Sequence, residues 1–355
     1  RDYTTMDGET HGVIIGRFMP PHSGHQYLVD FGRNMCDHLS VLVCTLRSEP
    51  VPGELRYRWM QELFPDVEMI HITEEIPEAR KDSPTAIPIW AETVREKLSA
   101  TPTYVFASED YGAPLAAELG ARFVPVDPAR RLFPVSATMI RENPLANWDY
   151  IPEPVRPYYL RRISVVEPAA RAGGGRSAAG GGASGDRPSL ARRLAAHYRT
   201  LFVADYGRFW EDTVGVIGEA DLPLVQEAQQ AVESSLARRA SRVLFCESDP
   251  LQIALRRGLE PGLSADPVSE GSRRKDGPYR GYDLTLLVEP HRGGGPRGEA
   301  THAAAEAEAL ALIDRIESAL HSHGGTVERI GAPSEHELLD LAVSEVERVL
   351  RSGRA

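Results

Sequence analysis

Lysine is nearly missing from this 355-residue chain: Lys81, Lys97 and Lys275 are its three lysines among 40 basic residues, the others being arginine. A phosphate loop built around a lysine is therefore excluded from the whole span between Lys97 and Lys275. Cysteine is scarce too. Cys36, Cys44 and Cys246 sit in apolar contexts without C-x-x-C spacing, which excludes a disulfide framework and reads as buried thiols in a reducing compartment. No run approaches the roughly 18 apolar residues of a membrane span and no signal peptide opens the chain. A cytoplasmic protein without membrane insertion is expected. Net positive charge is also lacking; the formal net charge of −11 argues against a nucleic-acid partner. What is present, 42% hydrophobic and 26% charged residues, is the composition of a soluble globular protein, and its length suits two domains rather than one core.

The chain is organised around Gly12 to His25, GVIIGRFMPPHSGH. Val13, Ile14 and Ile15 are the short β-branched run of a strand buried on both faces of a parallel sheet. Gly16 closes it, and Pro20 and Pro21 can continue neither a strand nor a helix interior. The chain must turn there. Gly24 lets backbone approach a ligand before a helix expected to start near His25. A lone histidine after a strand is ordinarily a packing residue. Here two imidazoles, His22 and His25, share a turn with the first amides of a helix, and together they offer positive potential to phosphate oxygens.

Beyond this turn the pattern alternates strand and helix. A helix to about Cys36 leads to strands at Ser40–Leu46, Glu68–Thr73, Tyr104–Ser108 and Arg122–Val126, separated by helices at Glu54–Phe64 and Ile87–Leu98 and a short one from Tyr111. That order predicts a doubly wound parallel sheet with ligands at the carboxyl ends of its strands. After the last strand comes PVSATMIREN, in which Ser136 is a good N-cap and Thr138 and Arg141 fall three apart on one helix face.

The stretch G-R-F-x-P-x-H-x-G-H resembles the HxGH motif of the nucleotidylyltransferase superfamily, and Ser136, Thr138 and Arg141 resemble its second motif, Ser-x-Thr-x-x-Arg. The surrounding residues are similar to the NadR-type nicotinamide mononucleotide (NMN) adenylyltransferases. The resemblance implies an ATP site with Gly16, Phe18, Gly24, Ser136 and Thr138 in its walls, Arg17, His22 and His25 on the α-phosphate, and Arg141 on the departing pyrophosphate. It further implies Mg²⁺ as cofactor, held by phosphates and water without a protein cage, and NMN as acceptor, with NAD as product. PTAIPIWAETV looks like the element whose tryptophan, here Trp90, stacks on nicotinamide, although a packing role suits that helix as well. Arg56 is a weaker candidate for the acceptor. Other members of the superfamily transfer cytidylyl, pantetheine-phosphate or flavin groups, so the acceptor stays open.

The domain boundaries read as a polar lead-in over 1–11, a nucleotidylyltransferase domain over 12–145, a linker over 146–160 and a second domain over 161–352. In the second half an apolar strand starts at Arg162, and Leu201–Tyr206, Leu244–Pro250 and Tyr282–Leu287 resemble the second, third and fourth strands of a P-loop kinase, with a final strand in TVERIGA and a closing helix after them. Asp221–Ala240 and Ala303–Leu320 read as amphipathic helices. The flanks resemble a P-loop ribosylnicotinamide kinase, which makes the whole chain α/β with two doubly wound domains. Its Walker A turn is replaced by a Gly-, Ala- and Ser-rich loop over 168–187, which places Arg187 where lysine belongs. Asp205, Glu247 and Asp249 are possible remnants of kinase chemistry, and the segment EPHRGGGPRGEA keeps only Arg292 and Arg297 to reach a phosphate. A kinase fold with lost kinase chemistry is expected. The alternatives are a bifunctional enzyme that also phosphorylates ribosylnicotinamide and a regulatory protein sensing NAD or ATP. A homo-oligomer is possible.

Overall fold

The protein is described from a computed structural model over residues 8–74, 86–167, 188–258, 281–290, 299–322 and 324–352. It divides into two units, Arg1–Val155 and Arg156–Ala355. The first holds β1 (His11–Gly16), α1 (Ser23–Met35), β2 (His38–Cys44), α2 (Gly53–Leu63), β3 (Glu68–Ile72), α3 (Ala86–Lys97), β4 (Tyr104–Ala107), α4 (Gly112–Leu119), β5 (Arg122–Pro125) and α5 (Ala137–Glu142). A single 3-10 turn follows at Trp148–Tyr150.

These strands form one parallel sheet in the order β3-β2-β1-β4-β5. The apolar run of β1 is central because alternate side chains serve opposite faces. Val13 and Ile15 pack with Val94 of α3, Leu98 just beyond it and Leu115 of α4, while Ile14 packs with Val29 of α1 and Met60 of α2. The chain leaves β1 toward β2 and β3, then returns to lay β4 on the other side. The sheet therefore has its switch point between β1 and β4, and the carboxyl ends of those strands open a crevice.

The second unit holds α6 (Arg156–Tyr159), β6 (Arg161–Val166), α7 (Leu190–His197), β7 (Phe202–Val203), α8 (Tyr206–Thr213), α9 (Leu222–Ala237), β8 (Val243–Cys246), α10 (Pro250–Arg256), β9 (Leu284–Val288), α11 (Glu299–Ser322), β10 (Val327–Ile330) and α12 (Glu335–Arg351). Its sheet is also all-parallel, in the order β10-β9-β6-β8-β7. Ile163 and Val165 face α7 and α12, and Val166 packs with Ile313 and Ile316 of α11. The expected pair of doubly wound α/β sheets is what the chain forms.

Several element ends differ from the sequence expectation, each for a local reason. Helix α1 begins at Ser23 rather than His25, because the His22 side chain caps it. The strand expected over Leu201–Tyr206 shrinks to Phe202–Val203, because Asp205 leaves the sheet to cap α8. Pro250 opens α10 rather than ending β8, with Asp249 as its cap. The proline-rich segment over 146–160, which contains the division between the units, is packed: Trp148, Ile151, Val155 and Leu160 are all buried. The glycine-rich loop with Arg187, and Arg292 and Arg297 beyond β9, lie outside the described residues.

Candidate active site

The turn after β1 is built by three local constraints. Phe18 adopts a left-handed backbone (φ 47°) and its ring folds back over Gly16, where an added Cβ would come within 2.8 Å of Phe18 Cζ. Only glycine leaves room for that ring. Phe18 then meets the His25 ring edge-on, with centroids 4.9 Å apart. Finally, the Gly24 amide donates to His22 Nδ1 at 3.1 Å, so an imidazole caps the helix in place of the usual hydroxyl or carboxylate.

That cap decides a tautomer. With Nδ1 accepting, the proton of the neutral His22 ring belongs on Nε2, which is left as a donor. The His22 and His25 rings stack at 3.8 Å between centroids. Burial, and then the charge of Arg130, lower the pKa of His22 to about 4. Burial is also the chief cause that holds His25 well below the usual histidine value, with His22 and Arg130 adding to it. Both rings are therefore neutral at physiological pH. His25 Nδ1 is buried without a hydrogen-bond partner among the described residues, a donor or acceptor held in reserve.

The second motif is fastened directly to the first. Ser136 Oγ accepts from the Met139 amide at 3.1 Å and caps α5. Arg141 donates from one end of its guanidinium to the Met19 carbonyl at 2.6 Å and from the other to Thr138 Oγ1 at 3.1 Å. A side chain 122 positions downstream thus pins the turn between Phe18 and His22.

Together these elements enclose a cavity of about 360 Å³. Of the residues expected from sequence, it is lined by Gly16, Arg17, Phe18, His22, Gly24, His25, Trp90, Ser136, Thr138 and Arg141. Trp90 also packs against the core formed by α3 and α4, so it serves both surfaces. Arg17 is half exposed, with its guanidinium 3.4 Å from Glu49.

Arg56 is a correction. It does not line this cavity; it is fully buried, donates to the Arg17 carbonyl at 2.6 Å and the Cys44 carbonyl at 3.3 Å, and pairs with Glu49. Its charge is used in tying β2 and the turn after β1 to the loop before α2. The family resemblance of the sequence around it suggests a ligand-binding arginine, and gives no sign that Glu49 waits for it.

Among the cavity residues that escaped the sequence reading are the charged pair Asp127 and Arg130. Both have positive φ (44° and 49°), which no glycine announces. The Asp127 carboxylate accepts from the amides of Arg131, Leu132 and Phe133, closing the loop between β5 and α5. The D-P-x-R string before the serine cap was the available signal.

In the second unit the candidate acids all accept local hydrogen bonds. Asp205 accepts from the amides of Gly207 and Arg208, at 2.9 and 3.3 Å. Asp249 accepts from the Gln252 amide at 2.8 Å and from Ser164 at 3.2 Å, and its pKa is raised by burial. Glu247 accepts from Ser189 and from the Asp205 amide. Glu167, at the mouth of the loop, accepts from the Leu190 amide at 2.7 Å.

Fold and site together define a doubly wound α/β protein with an HxGH turn and a Ser-x-Thr-x-x-Arg helix on one cavity. Comparison with known proteins narrows this. No protein-family model matches the chain. It is 27% identical to the trifunctional NAD biosynthesis/regulator protein NadR of Salmonella typhimurium, over 56% of this chain and 48% of that protein, and 27% identical to the protein so named from Escherichia coli, over 56% and 49%. The chain thus spans about half the length of the curated relatives it matches. In fold it is similar to a solved NadR structure in complex with NAD and AMP-PNP (TM-score 0.68, 19% identity, 98% of each chain), and to one in complex with NR (TM-score 0.69, 18% identity, 97% of each). In sequence and in fold the chain is similar to NadR proteins.

Proposed function

We propose that the first unit is an NMN adenylyltransferase, moving AMP from ATP to NMN with release of pyrophosphate and formation of NAD. The observation that carries this reading is the Arg141 bridge to Met19 and Thr138, which joins the two phosphate-binding motifs on one cavity. The NMN phosphate attacks the α-phosphorus and pyrophosphate departs in line. Such a transfer needs positioning and charge stabilisation more than a covalent intermediate. His22 Nε2–H and His25 hold the α-phosphate, the first amides of α1 add their dipole, and Arg141 and Thr138 take the departing phosphates. Arg17 meets the bridging oxygens, and Trp90 offers its face to the nicotinamide ring.

Mg²⁺ fits this reading as a companion of the triphosphate. Among the described residues no group of three or more histidine, cysteine or acidic side chains is placed to hold a metal, and Asp127 already serves three backbone amides. Bound to the phosphates and water, the ion would neutralise their charge.

The second unit is proposed to lack kinase activity. Asp205 and Asp249 cap helices, Glu247 accepts from Ser189 and the Asp205 amide, and no lysine stands between Lys97 and Lys275 to serve a nucleotide loop. Adding ATP, Mg²⁺ and ribosylnicotinamide to the purified protein tests this; accumulation of ADP and NMN would make it bifunctional. An acceptor panel tests the first unit. NAD should form from NMN, and turnover of another phosphate acceptor with none of NMN would refute the assignment.

A further inference from the structure

Arg130 has no role in the reading above, yet it lines the same cavity as His22 and His25. The loop carrying it is closely fastened. Asp127 and Arg130 both take left-handed backbone, the Arg130 amide donates back to the Asp127 carbonyl at 2.9 Å, and the Asp127 carboxylate gathers the next three amides. Left-handed conformations at two non-glycine residues are retained only where surrounding contacts hold them. Phe133, at the end of the same loop, meets the Tyr27 ring at a tilt (5.6 Å between centroids) and so packs the loop on α1.

The result is a guanidinium in the cavity wall, close enough to His22 and His25 for its charge to oppose protonation of both. A cation placed beside two donors is an unfavourable arrangement for the empty site and a favourable one for an anion among them. What faces Arg130 is Glu109, 3.5 Å away, from the loop that follows β4. Both side chains are partly exposed, and an exposed pair at that distance is weak enough to be exchanged for a phosphate.

We propose that Arg130 is a further phosphate-binding residue of this site, which exchanges Glu109 for the phosphate held by His22 and His25 when nucleotide binds. The proposal rests on the adenylyltransferase reading for the identity of the phosphate. Glu109 then acts as a stand-in anion, holding the guanidinium at the cavity until the triphosphate displaces it. Arginine suits this task because its planar fork stays charged and can contact two oxygens at once.

The test uses the full chain and the variants Arg130→Gln, Arg130→Lys and Glu109→Gln, with ATP binding measured by calorimetry and NAD formation by a coupled assay. Arg130→Gln should weaken ATP binding by about 10-fold and lower kcat/KM by about 100-fold, the scale of a lost charged donor at a reacting phosphate. Arg130→Lys should restore part of both. Glu109→Gln should tighten ATP binding, because the competing carboxylate is gone. In the empty protein the His22 ring of Arg130→Gln, followed by NMR, should titrate at higher pH than in the parent. ATP affinity and kcat/KM within 3-fold of the parent in Arg130→Gln, while His25→Ala is inactive, would overturn the proposal and leave the reading standing. If the parent binds ATP but makes no NAD, the reading fails, and ATP affinity unchanged by Arg130→Gln would overturn this proposal separately.

Discussion

Lowering the pH should destabilise the first unit through His22 in a way that a single substitution removes. In the unfolded chain this histidine titrates near 6.5, whereas in the folded protein its pKa lies at about 4, burial being the larger cause and Arg130 the second. The folded state therefore binds fewer protons than the unfolded one between those values. Stability due to His22 is complete above pH 6.5, declines as pH falls, and is exhausted near pH 4. At 1.36 kcal/mol per unit of pKa the whole effect is about 3 kcal/mol, and about 2 kcal/mol of it is lost by pH 5. Asparagine is the informative replacement, since its side-chain oxygen can accept the Gly24 amide as His22 Nδ1 does, without titrating. Urea unfolding of the parent and His22→Asn at pH 7.5 and pH 5 should show the parent losing about 2 kcal/mol more than the variant. Equal losses would refute the claim that this imidazole is held neutral.

Three other perturbations follow from the same geometry. Gly16→Ala places a methyl group 2.8 Å from the buried Phe18 ring, so thermal unfolding should show a loss of about 1–3 kcal/mol, and turnover should fall because Phe18 supports His25. An unchanged Tm would mean the turn relaxes freely. Arg56→Ala should destabilise the protein by about 3–5 kcal/mol, because Glu49 loses its buried partner. A stable variant with only a raised KM for NMN would restore Arg56 to the acceptor site. Arg141→Gln should reduce kcat/KM by about 100-fold, as removal of a charged donor to the departing phosphates predicts, and parent-like turnover would remove Arg141 from that role.

The parts of this molecule that were legible in the sequence share a cause: they are local. The Val13–Ile15 run, the Pro20–Pro21 turn and the Ser136 cap each follow from residues within a few positions of one another, and each lies where the pattern places it. Alternation of strands and helices then fixes two parallel sheets, since parallel neighbours need crossovers. What could not be read depends on pairs distant in sequence or on unusual backbone. Glu49 claims Arg56, and the Met19 carbonyl receives Arg141 from 122 positions away. Asp127 and Arg130 enter the cavity through left-handed conformations that their side chains do not advertise. The helix start was misplaced because an imidazole is an uncommon cap, and the short β7 because Asp205 looks, in sequence, like the end of a strand rather than the beginning of α8.

The central claim is that His22 and His25 act on the phosphate transferred from ATP. The most direct measurement is steady-state NAD formation from ATP, Mg²⁺ and NMN by the parent and by His25→Ala. Loss of one such donor removes about 2.7–4 kcal/mol of transition-state stabilisation, so kcat should fall by about 100- to 1,000-fold with KM for ATP nearly unchanged. A change confined to KM, with kcat intact, would contradict the account.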